Sequence, residues 1–210
     1  MARLLAYINL ITTAFFALIV ISLHFLSPDL DPIVSGISFY ALTQYDLLLN
    51  LALSLIGVSG IVIAFGMWLA TTSILGRAGL LLIIAWGLFS ILAGLFPLDA
   101  PGSPPTLSGT IHNLAGLNFL LITPALLLIE LSRSAGGYPV RPRTITFWLA
   151  WLLLISALLL FTFNGPQYYL GIGGVFQRLY WVVLVLWLLF KALQILGQDS
   201  PSQQSVLSAH

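Results

Sequence analysis

Six long apolar segments run along this sequence and constrain its fold more than any other feature. Each is long enough to cross a bilayer as a helix, which needs about 20 apolar residues. Because a bilayer interior holds no water, a spanning segment must satisfy its own backbone hydrogen bonds, and a helix does so. The segments lie near residues 4–26, 47–73, 79–97, 109–131, 145–163 and 176–197.

These segments predict an all-α integral membrane protein, a six-transmembrane-helix bundle over residues 1–197. Residues 198–210 are polar and unpatterned, and we expect them to be disordered. Only 6% of the residues are charged, against about 25% in soluble domains. The net charge of +1 argues against nucleic acid as a partner, since phosphate binding needs clustered basic residues. The absence of cysteine excludes disulfides, thiolate metal sites and iron–sulfur clusters.

The basic residues divide unevenly between the two sides of the predicted bundle. With the N-terminus in the cytoplasm, Arg178 alone falls outside, and the other basic residues fall inside. The inside set is Arg3, Arg77, Arg133, Arg141, Arg143 and Lys191. Because basic residues concentrate in cytoplasmic loops, we expect both termini in the cytoplasm and the protein in the plasma (inner) membrane.

The first predicted outer loop, "SPDLDPIVSGISFYALTQYD", contains an amphipathic stretch. Ile33, Ile37, Tyr40 and Ala41 recur in it at helical spacing. This pattern predicts a short helix lying at the membrane surface.

The second outer loop, "FPLDAPGSPPTLSGTIHNLAG", places Asp99 and His112 between two apolar segments. Thr106 or Ser108 is a suitable N-cap for the next helix, and Pro124 predicts a kink that could shape a cavity. An Asp–His contact fixes the imidazole tautomer and raises its basicity, so Asp99 and His112 are candidate catalytic residues. The alternative is that His112 only hydrogen-bonds a neighbouring helix or a loop carbonyl.

Two cofactors are compatible with the histidines, although nothing in the sequence requires either. His24 is expected at a depth similar to that of His112. A divalent metal could therefore bind His24, His112 and Asp99, or the two imidazoles could clamp haem b. Glu130 lies three residues before Arg133, and we interpret the two as a structural helix pair at the inner surface.

Arg178 is the one cation predicted on the outer face, which carries four carboxylates. Those carboxylates are Asp29, Asp31, Asp46 and Asp99. Arg178 could form a salt bridge to Asp31, Asp46 or Asp99 and so hold the bundle together. Alternatively, its guanidinium could clamp an anionic headgroup, with the outer carboxylates lining the same pocket.

A stripe of polar and small residues follows one face of the second predicted helix. It consists of Asp46, Asn50, Ser54 and Gly57. Such a stripe faces the interior of a bundle rather than lipid. It could extend the outer pocket inward, with Asp46 and Asn50 as ligand-binding residues, or it could serve close helix packing.

The outer-face residues also resemble a known family. The stretches "SPDLDPIVSGISFYAL", "FPLDAP" followed by "SGTIHNLAG", and "GGVFQRLYW" are similar to the prokaryotic multi-pass membrane-protein family catalogued as domain of unknown function 998. The matching positions are Asp31, Pro32, Ser38, Asp99, Gly109, His112 and Arg178. The resemblance covers nearly the whole chain and implies the same fold and the same residue cluster, without a reaction. This sequence departs from the family pattern by lacking a basic residue shortly after the Asp-Pro pair, which leaves the outer acids less neutralised.

Three functions from different classes are consistent with these features. The first is an outward-facing Asp/His/Arg pocket that binds a lipid headgroup or a small amphiphile, with hydrolysis as an extension. The second is a non-catalytic accessory or scaffold subunit of a larger membrane complex. The third is electron transfer through haem. The expected partners are membrane lipids and other membrane subunits, and whether the protein is an enzyme stays open at this point.

Overall fold

The computed structural model describes residues 1–134, 141–163 and 172–197. These ranges contain helices and no β-strand, so the all-α prediction is confirmed. The α-helices are α1 (Ala2–Leu26), α2 (Asp46–Trp68), α3 (Ile74–Leu95), α4 (Leu107–Gly116), α5 (Phe119–Ser134), α6 (Arg141–Phe163) and α7 (Gly173–Gly197), and a 3-10 helix spans Ile37–Leu42. Within the same ranges, six helical segments are long and apolar enough to cross a membrane, with α4 and α5 counted as one. This confirms the six-helix prediction, while the predicted tail 198–210 lies outside the described residues.

The spanning segments form a closed ring in which each helix packs against its neighbours. α1 packs on α2, α2 on α3, α3 on α5, α5 on α6, α6 on α7, and α7 returns to α1. Large aromatic side chains fill the core, among them the buried Trp86, Tyr180 and Trp187. Buried polar groups also occur within the helices, where Asn9 and Thr13 of α1 hydrogen-bond Ser59 of α2.

The two ends of the bundle are distinguished by the helix termini that meet there. At one end, here called the terminal end, Gly66 near the end of α2 faces Leu5 of α1 and Ile195 of α7. At the opposite end, called the far end, His24 near the end of α1 meets Arg178 near the start of α7. α1 and α7 therefore run antiparallel. The cytoplasmic location of the terminal end stays a prediction.

The fourth predicted span is two helices, α4 and α5, rather than one continuous helix over 109–131. The break falls at residues 117–118. Pro124 of α5 cannot donate to the carbonyl of Leu120, and its ring crowds that carbonyl, which weakens the helix beside the break. At the break, Nδ2 of Asn118 donates to Oγ of Ser90 on α3 at 2.9 Å. The discontinuity is therefore held by a buried hydrogen bond to a neighbouring helix.

The amphipathic segment of the first loop is a 3-10 helix that packs on the bundle. Its residues Ile37 and Tyr40 are both buried, and side chains three residues apart share one side of a 3-10 helix. Ile33 precedes the helix and is exposed. The backbone N–H of Ile37 donates to Oε1 of Gln177 on α7 at 2.6 Å, which attaches the helix to the far end.

Glycines allow α2 and α3 to pack at close range. A Cβ atom on Gly87 would lie 2.5 Å from the carbonyl oxygen of Gly57, and one on Gly94 would lie 2.7 Å from that of Asn50. Ser54, also on this face, returns its hydroxyl to the carbonyl of Asn50 at 2.9 Å. Asn50 and Gly57 of the polar stripe therefore lie against the backbone of α3. This contact supports close helix packing as the role of these two residues.

Candidate functional site

Arg178 lies in the second turn of α7, half-buried at the far end of the bundle. Its Nη1 donates to the carbonyl oxygens of Pro32 and Ser35, both at 2.7 Å, and of Gly174 at 3.0 Å. Its Nη2 makes a longer contact, 3.4 Å, with the hydroxyl of Tyr40. The guanidinium therefore holds the loop after α1, the 3-10 helix and α7 together.

His24 is the remaining acceptor for Arg178. The Nε of Arg178 donates to Nε2 of His24 at 2.7 Å, and Nδ1 of His24 lies 2.6 Å from the carbonyl oxygen of Val20. Since a guanidinium only donates and a carbonyl only accepts, the imidazole carries its proton on Nδ1 and is neutral. Both ring nitrogens are then engaged, so His24 in this arrangement offers no lone pair to a metal or to haem iron.

No carboxylate neutralises Arg178 within the described residues. Their one salt bridge within 4 Å lies elsewhere, between Lys191 and Glu130. The acid of the sequence that falls outside the described ranges, Asp199, follows the opposite end of α7. The predicted salt bridge from Arg178 to an outer-loop acid is therefore not formed. A cation surrounded by neutral acceptors keeps its charge, and its field attracts an anion.

Asp99 caps the start of α4 together with Thr106. The carboxylate accepts the Thr106 hydroxyl at 2.7 Å and the Thr106 backbone N–H at 2.8 Å. Oγ1 of Thr106 in turn accepts the backbone N–H of Gly109 at 3.0 Å, as an N-cap does. The hydrogen bond from the Thr106 hydroxyl, and to a smaller extent the one from its backbone N–H, lowers the pKa of Asp99 below its ordinary value. Desolvation acts in the opposite direction and is the weaker effect. Gly109 is needed here, because a Cβ atom at this position would collide with the carboxylate.

His112 connects α4 to the last turn of α3 and is 3% exposed. Its Nδ1 lies 3.0 Å from the carbonyl oxygen of Ala93 and 2.9 Å from that of Phe96. Four residues after Ala93 the chain has Pro97, which has no N–H to donate to that carbonyl. Nδ1–H of His112 therefore supplies the missing donor.

Asp99 and His112 make no hydrogen bond to each other in the part of the chain that the structure describes. Asp99 is engaged with Thr106, and two carbonyls rather than a carboxylate fix the tautomer of His112. Nor does any group of three or more metal-binding side chains come together among the described residues. The structure therefore does not bring His24, His112 and Asp99 into one metal site.

The other predicted ligand-binding residues also lie apart from one another. Asp31 turns its carboxylate back to the N–H of Ile33 at 2.8 Å, a local turn beside Pro32. Asp46 opens α2, where a carboxylate favours the positive end of the helix dipole. Asn50 lies one turn further along α2, with its carbonyl against Gly94. Asp31 is thus the one of the three that adjoins the loop held by Arg178.

Comparison with known proteins identifies the family of this chain. The family described as Protein of unknown function (DUF998) matches residues 10–194 of the chain. The chain belongs to the DUF998 family. The resemblance read from the outer-face residues is thereby confirmed, and the match extends from α1 to the last turns of α7. No curated protein and no solved structure is similar enough to the chain to count as a match.

A second charged cluster of this DUF998 protein was not predicted from its sequence. Nζ of Lys191 on α7 lies 2.5 Å from Oε1 of Glu130 on α5, and both side chains are at most 1% exposed. Thr146 of α6 donates to Oε2 of Glu130 at 3.1 Å, and Nε1 of Trp187 lies 3.3 Å from Oε1. The cluster therefore joins three helices of the ring. The predicted partner of Glu130, Arg133, has a side chain outside the described residues.

The sequence contained one indication of this pair that could have been used. Glu130 and Lys191 both lie inside apolar segments, and two opposite charges in such segments are expected to find each other. Tyr40 and His24 as neighbours of Arg178 had no comparable indication. The contact of His24 depends on how α1 packs against α7, and that of Tyr40 on how the first loop of the DUF998 chain folds back, and residue spacing specifies neither.

Proposed function

We propose that this membrane protein binds an anionic lipid headgroup at the far end of the bundle through Arg178. The observation that supports the proposal is a half-buried guanidinium held by neutral acceptors with no carboxylate beside it. Taking a charge out of water is costly unless an opposite charge compensates it. An anion that approaches Arg178 would supply that compensation.

The hydrogen bonds of Arg178 leave part of the guanidinium available to such an anion. Nε and Nη1 are engaged with acceptors at 3.0 Å or less. Nη2 carries two N–H groups, whereas its one contact in the described chain is the 3.4 Å approach to Tyr40. At least one N–H is thus free to donate to a phosphate oxygen, and the other contacts hold it in a fixed orientation. Charge-assisted bonds of this kind are the strong ones.

A lipid is favoured over a soluble anion because of where Arg178 lies. It occupies the second turn of a membrane-spanning helix, which is where phosphate groups of a bilayer lie relative to the hydrocarbon. Hydrolysis is not part of the proposal, since no hydrogen bond or ion pair joins Asp99, His112 and Arg178 in the described structure. The proposed function is recognition of a headgroup rather than its cleavage.

The test compares lipid retention by wild type, Arg178→Gln and Tyr40→Phe, all purified in one detergent. Native mass spectrometry measures bound phosphatidylglycerol and phosphatidylcholine of matched chain length after titration with each. We expect wild type to prefer the anionic lipid. Arg178→Gln should lose that preference by about tenfold, equivalent to one charge-assisted hydrogen bond. Tyr40→Phe keeps the cation and should keep the preference.

Equal binding of the two lipids by wild type would contradict the proposal, as would an unchanged preference in Arg178→Gln. Competition by inorganic phosphate on the wild-type protein separates the two sources of anion. If millimolar phosphate displaces the lipid completely, the site recognises a free anion instead. Thermal unfolding of each variant shows whether loss of binding accompanies loss of fold.

A second candidate is a non-catalytic accessory or scaffold subunit of a larger membrane complex. The observation that favours it is that Asp99, His112 and Arg178 all hydrogen-bond within the protein and join helices or loops. On this candidate, Arg178→Gln lowers thermal stability and leaves lipid preference unchanged. The same pair of measurements therefore decides between the two.

A further inference from the structure

The terminal end of the bundle contains an apolar groove that no predicted site includes. It has a volume of about 240 Å³, and α1 and the end of α2 form its walls. The lining residues include Ala2, Leu5, Phe65, Gly66, Trp68 and Leu69. Pockets for drug-sized ligands measure roughly 300–1,000 Å³, so this groove accommodates a segment of one apolar chain rather than a whole amphiphile.

Gly66 forms a buried part of the wall of this groove. A Cβ atom at Gly66 would lie 3.6 Å from Cβ of Leu5 and 3.6 Å from Cδ1 of Ile195, which are ordinary contacts. The position therefore accepts a methyl group without a collision, and a larger side chain must extend past these two neighbours. Phe65 and Leu69, on either side, are 53% and 85% exposed, so the groove opens towards the surroundings of the bundle.

A cation stands beside the apolar groove. The guanidinium carbon of Arg77 lies 5.7 Å from the ring centroid of Trp68, and Trp68 is also a wall of the groove. Nε of Arg77 donates to the carbonyl oxygen of Thr71 at 3.0 Å. Neither Nη1 nor Nη2 has a protein acceptor or a carboxylate within the described residues. One aromatic side chain therefore joins an apolar groove to an exposed guanidinium with free N–H groups.

The groove lies at the opposite membrane surface from Arg178. Leu5 lines it and His24 contacts Arg178, and both belong to α1. At about 1.5 Å per residue, roughly 28 Å of helix separates them, which is close to the roughly 30 Å thickness of a bilayer's hydrocarbon. A lipid in this groove is therefore a different molecule from one at Arg178, in the other leaflet.

We propose that the groove holds one acyl chain of an anionic phospholipid whose phosphate binds Arg77. The apolar walls match the chain, and each buried methylene contributes to binding. The unneutralised guanidinium matches the phosphate, and Trp68 lies where indole rings favour the interface between hydrocarbon and headgroups. The proposal does not depend on the function of Arg178.

The experiment uses the full chain in nanodiscs, with Gly66→Leu to fill the groove and Arg77→Gln to remove the cation. The matched controls are Gly116→Leu, where a Cβ atom meets nothing within 4 Å, and Arg3→Gln, another exposed arginine. Binding of phosphatidylglycerol and phosphatidylcholine of equal chain length is measured by native mass spectrometry. All variants are also made on the Arg178→Gln background, so that binding at the far end does not obscure the result.

Two distinct changes are expected. Gly66→Leu should weaken binding of both lipids by about tenfold, because the chain loses its site. Arg77→Gln should remove the preference for phosphatidylglycerol while phosphatidylcholine still binds. The controls should match wild type in both respects.

The proposal is overturned if Gly66→Leu binds both lipids as Gly116→Leu does, or if Arg77→Gln retains the anionic preference. It is also overturned if Gly66→Leu changes the oligomeric state in cross-linking. In that case a second copy of the chain, rather than a lipid, occupies the groove.

Discussion

Helix α7 carries two cations that are held in opposite ways. Arg178, near its start, is half-buried and surrounded by carbonyls, an imidazole and a hydroxyl. Lys191, towards its end, is 1% exposed and bonded to the carboxylate of Glu130. The two lie roughly 20 Å apart at about 1.5 Å of rise per residue. The same helix therefore allows the partners of a half-buried cation to be compared with those of a fully buried one.

Burial explains the difference between the two partners. A fully buried ammonium loses nearly all its hydration, and neutral dipoles alone do not replace it, so a carboxylate is needed. A half-buried guanidinium retains some access to water or headgroups and can be held by oriented carbonyls. Lys191 is therefore neutralised inside the protein, whereas Arg178 has no carboxylate within 4 Å among the described residues. We therefore expect charge removal to reduce stability most at Lys191, and we expect the proposed lipid binding to depend on Arg178.

The largest effect is expected from separating the buried pair. Lys191→Met leaves the carboxylate of Glu130 without its cation in an apolar interior, which costs about 3–5 kcal/mol. Thermal unfolding in one detergent, followed by circular dichroism, measures the loss. The double variant Glu130→Gln/Lys191→Met removes both charges and should recover most of it. If the double variant is as unstable as the single one, the ion pair is not what stabilises this region.

A smaller effect is expected at Arg178, where the acceptors are neutral. His24→Gln keeps an acceptor for Nε of Arg178, whereas His24→Lys replaces it with a second cation. A hydrogen bond to a charged group contributes about 1.5–3 kcal/mol, so His24→Lys should lose at least that much and His24→Gln much less. The same unfolding assay measures both. Equal losses would mean that His24 serves only as packing against Tyr40, with which its ring is in contact.

The bundle was predictable from the sequence to a greater degree than the contacts of its polar residues. Segment length and apolar composition determine how many helices a bilayer accepts, so the six-helix architecture follows directly. The break at residues 117–118 was not predicted, because Pro124 indicates a kink six residues later in the same segment. The acceptors of Arg178 could not be foreseen, since Pro32 and Ser35 contribute backbone oxygens, which every residue possesses.

The predicted Asp–His contact shows that residue types alone do not determine which hydrogen bonds form. Asp99 and His112 are both in place at the junction of α3 and α4, as their spacing indicated. Each is instead engaged with a group that the prolines and helix ends leave unsatisfied, a helix start for Asp99 and the carbonyl of Ala93 for His112. Sequence spacing places side chains in the same loop, whereas the unpaired backbone groups nearby decide what they bond.

A loss of about 1 kcal/mol is expected from Gly109→Ala, because its Cβ atom would displace Asp99 from the cap of α4. Gly116→Ala is the control, since a Cβ atom there meets nothing within 4 Å. Unfolding temperatures of the two variants measure the difference. Asp99 lies at the same end of the bundle as Arg178. While its carboxylate is bonded to Thr106, it does not neutralise Arg178. Equal unfolding temperatures for the two variants would show that the Asp99 carboxylate does not lie against Gly109.

The smallest effect concerns pH and also tests whether Asp99 is committed to the cap. Hydrogen bonds from Thr106 hold the pKa of Asp99 below its ordinary value in the folded protein. The unfolded chain therefore takes up this proton at a higher pH than the folded one. The cap's contribution is complete above the ordinary pKa of an aspartate and is lost as pH falls through the lowered folded value. Wild type should consequently lose more stability than Asp99→Asn in that acidic range, and the two unfolding curves should have the same pH dependence near neutrality. If Asp99→Asn loses stability in parallel with wild type on acidification, the carboxylate is not committed to the cap of α4.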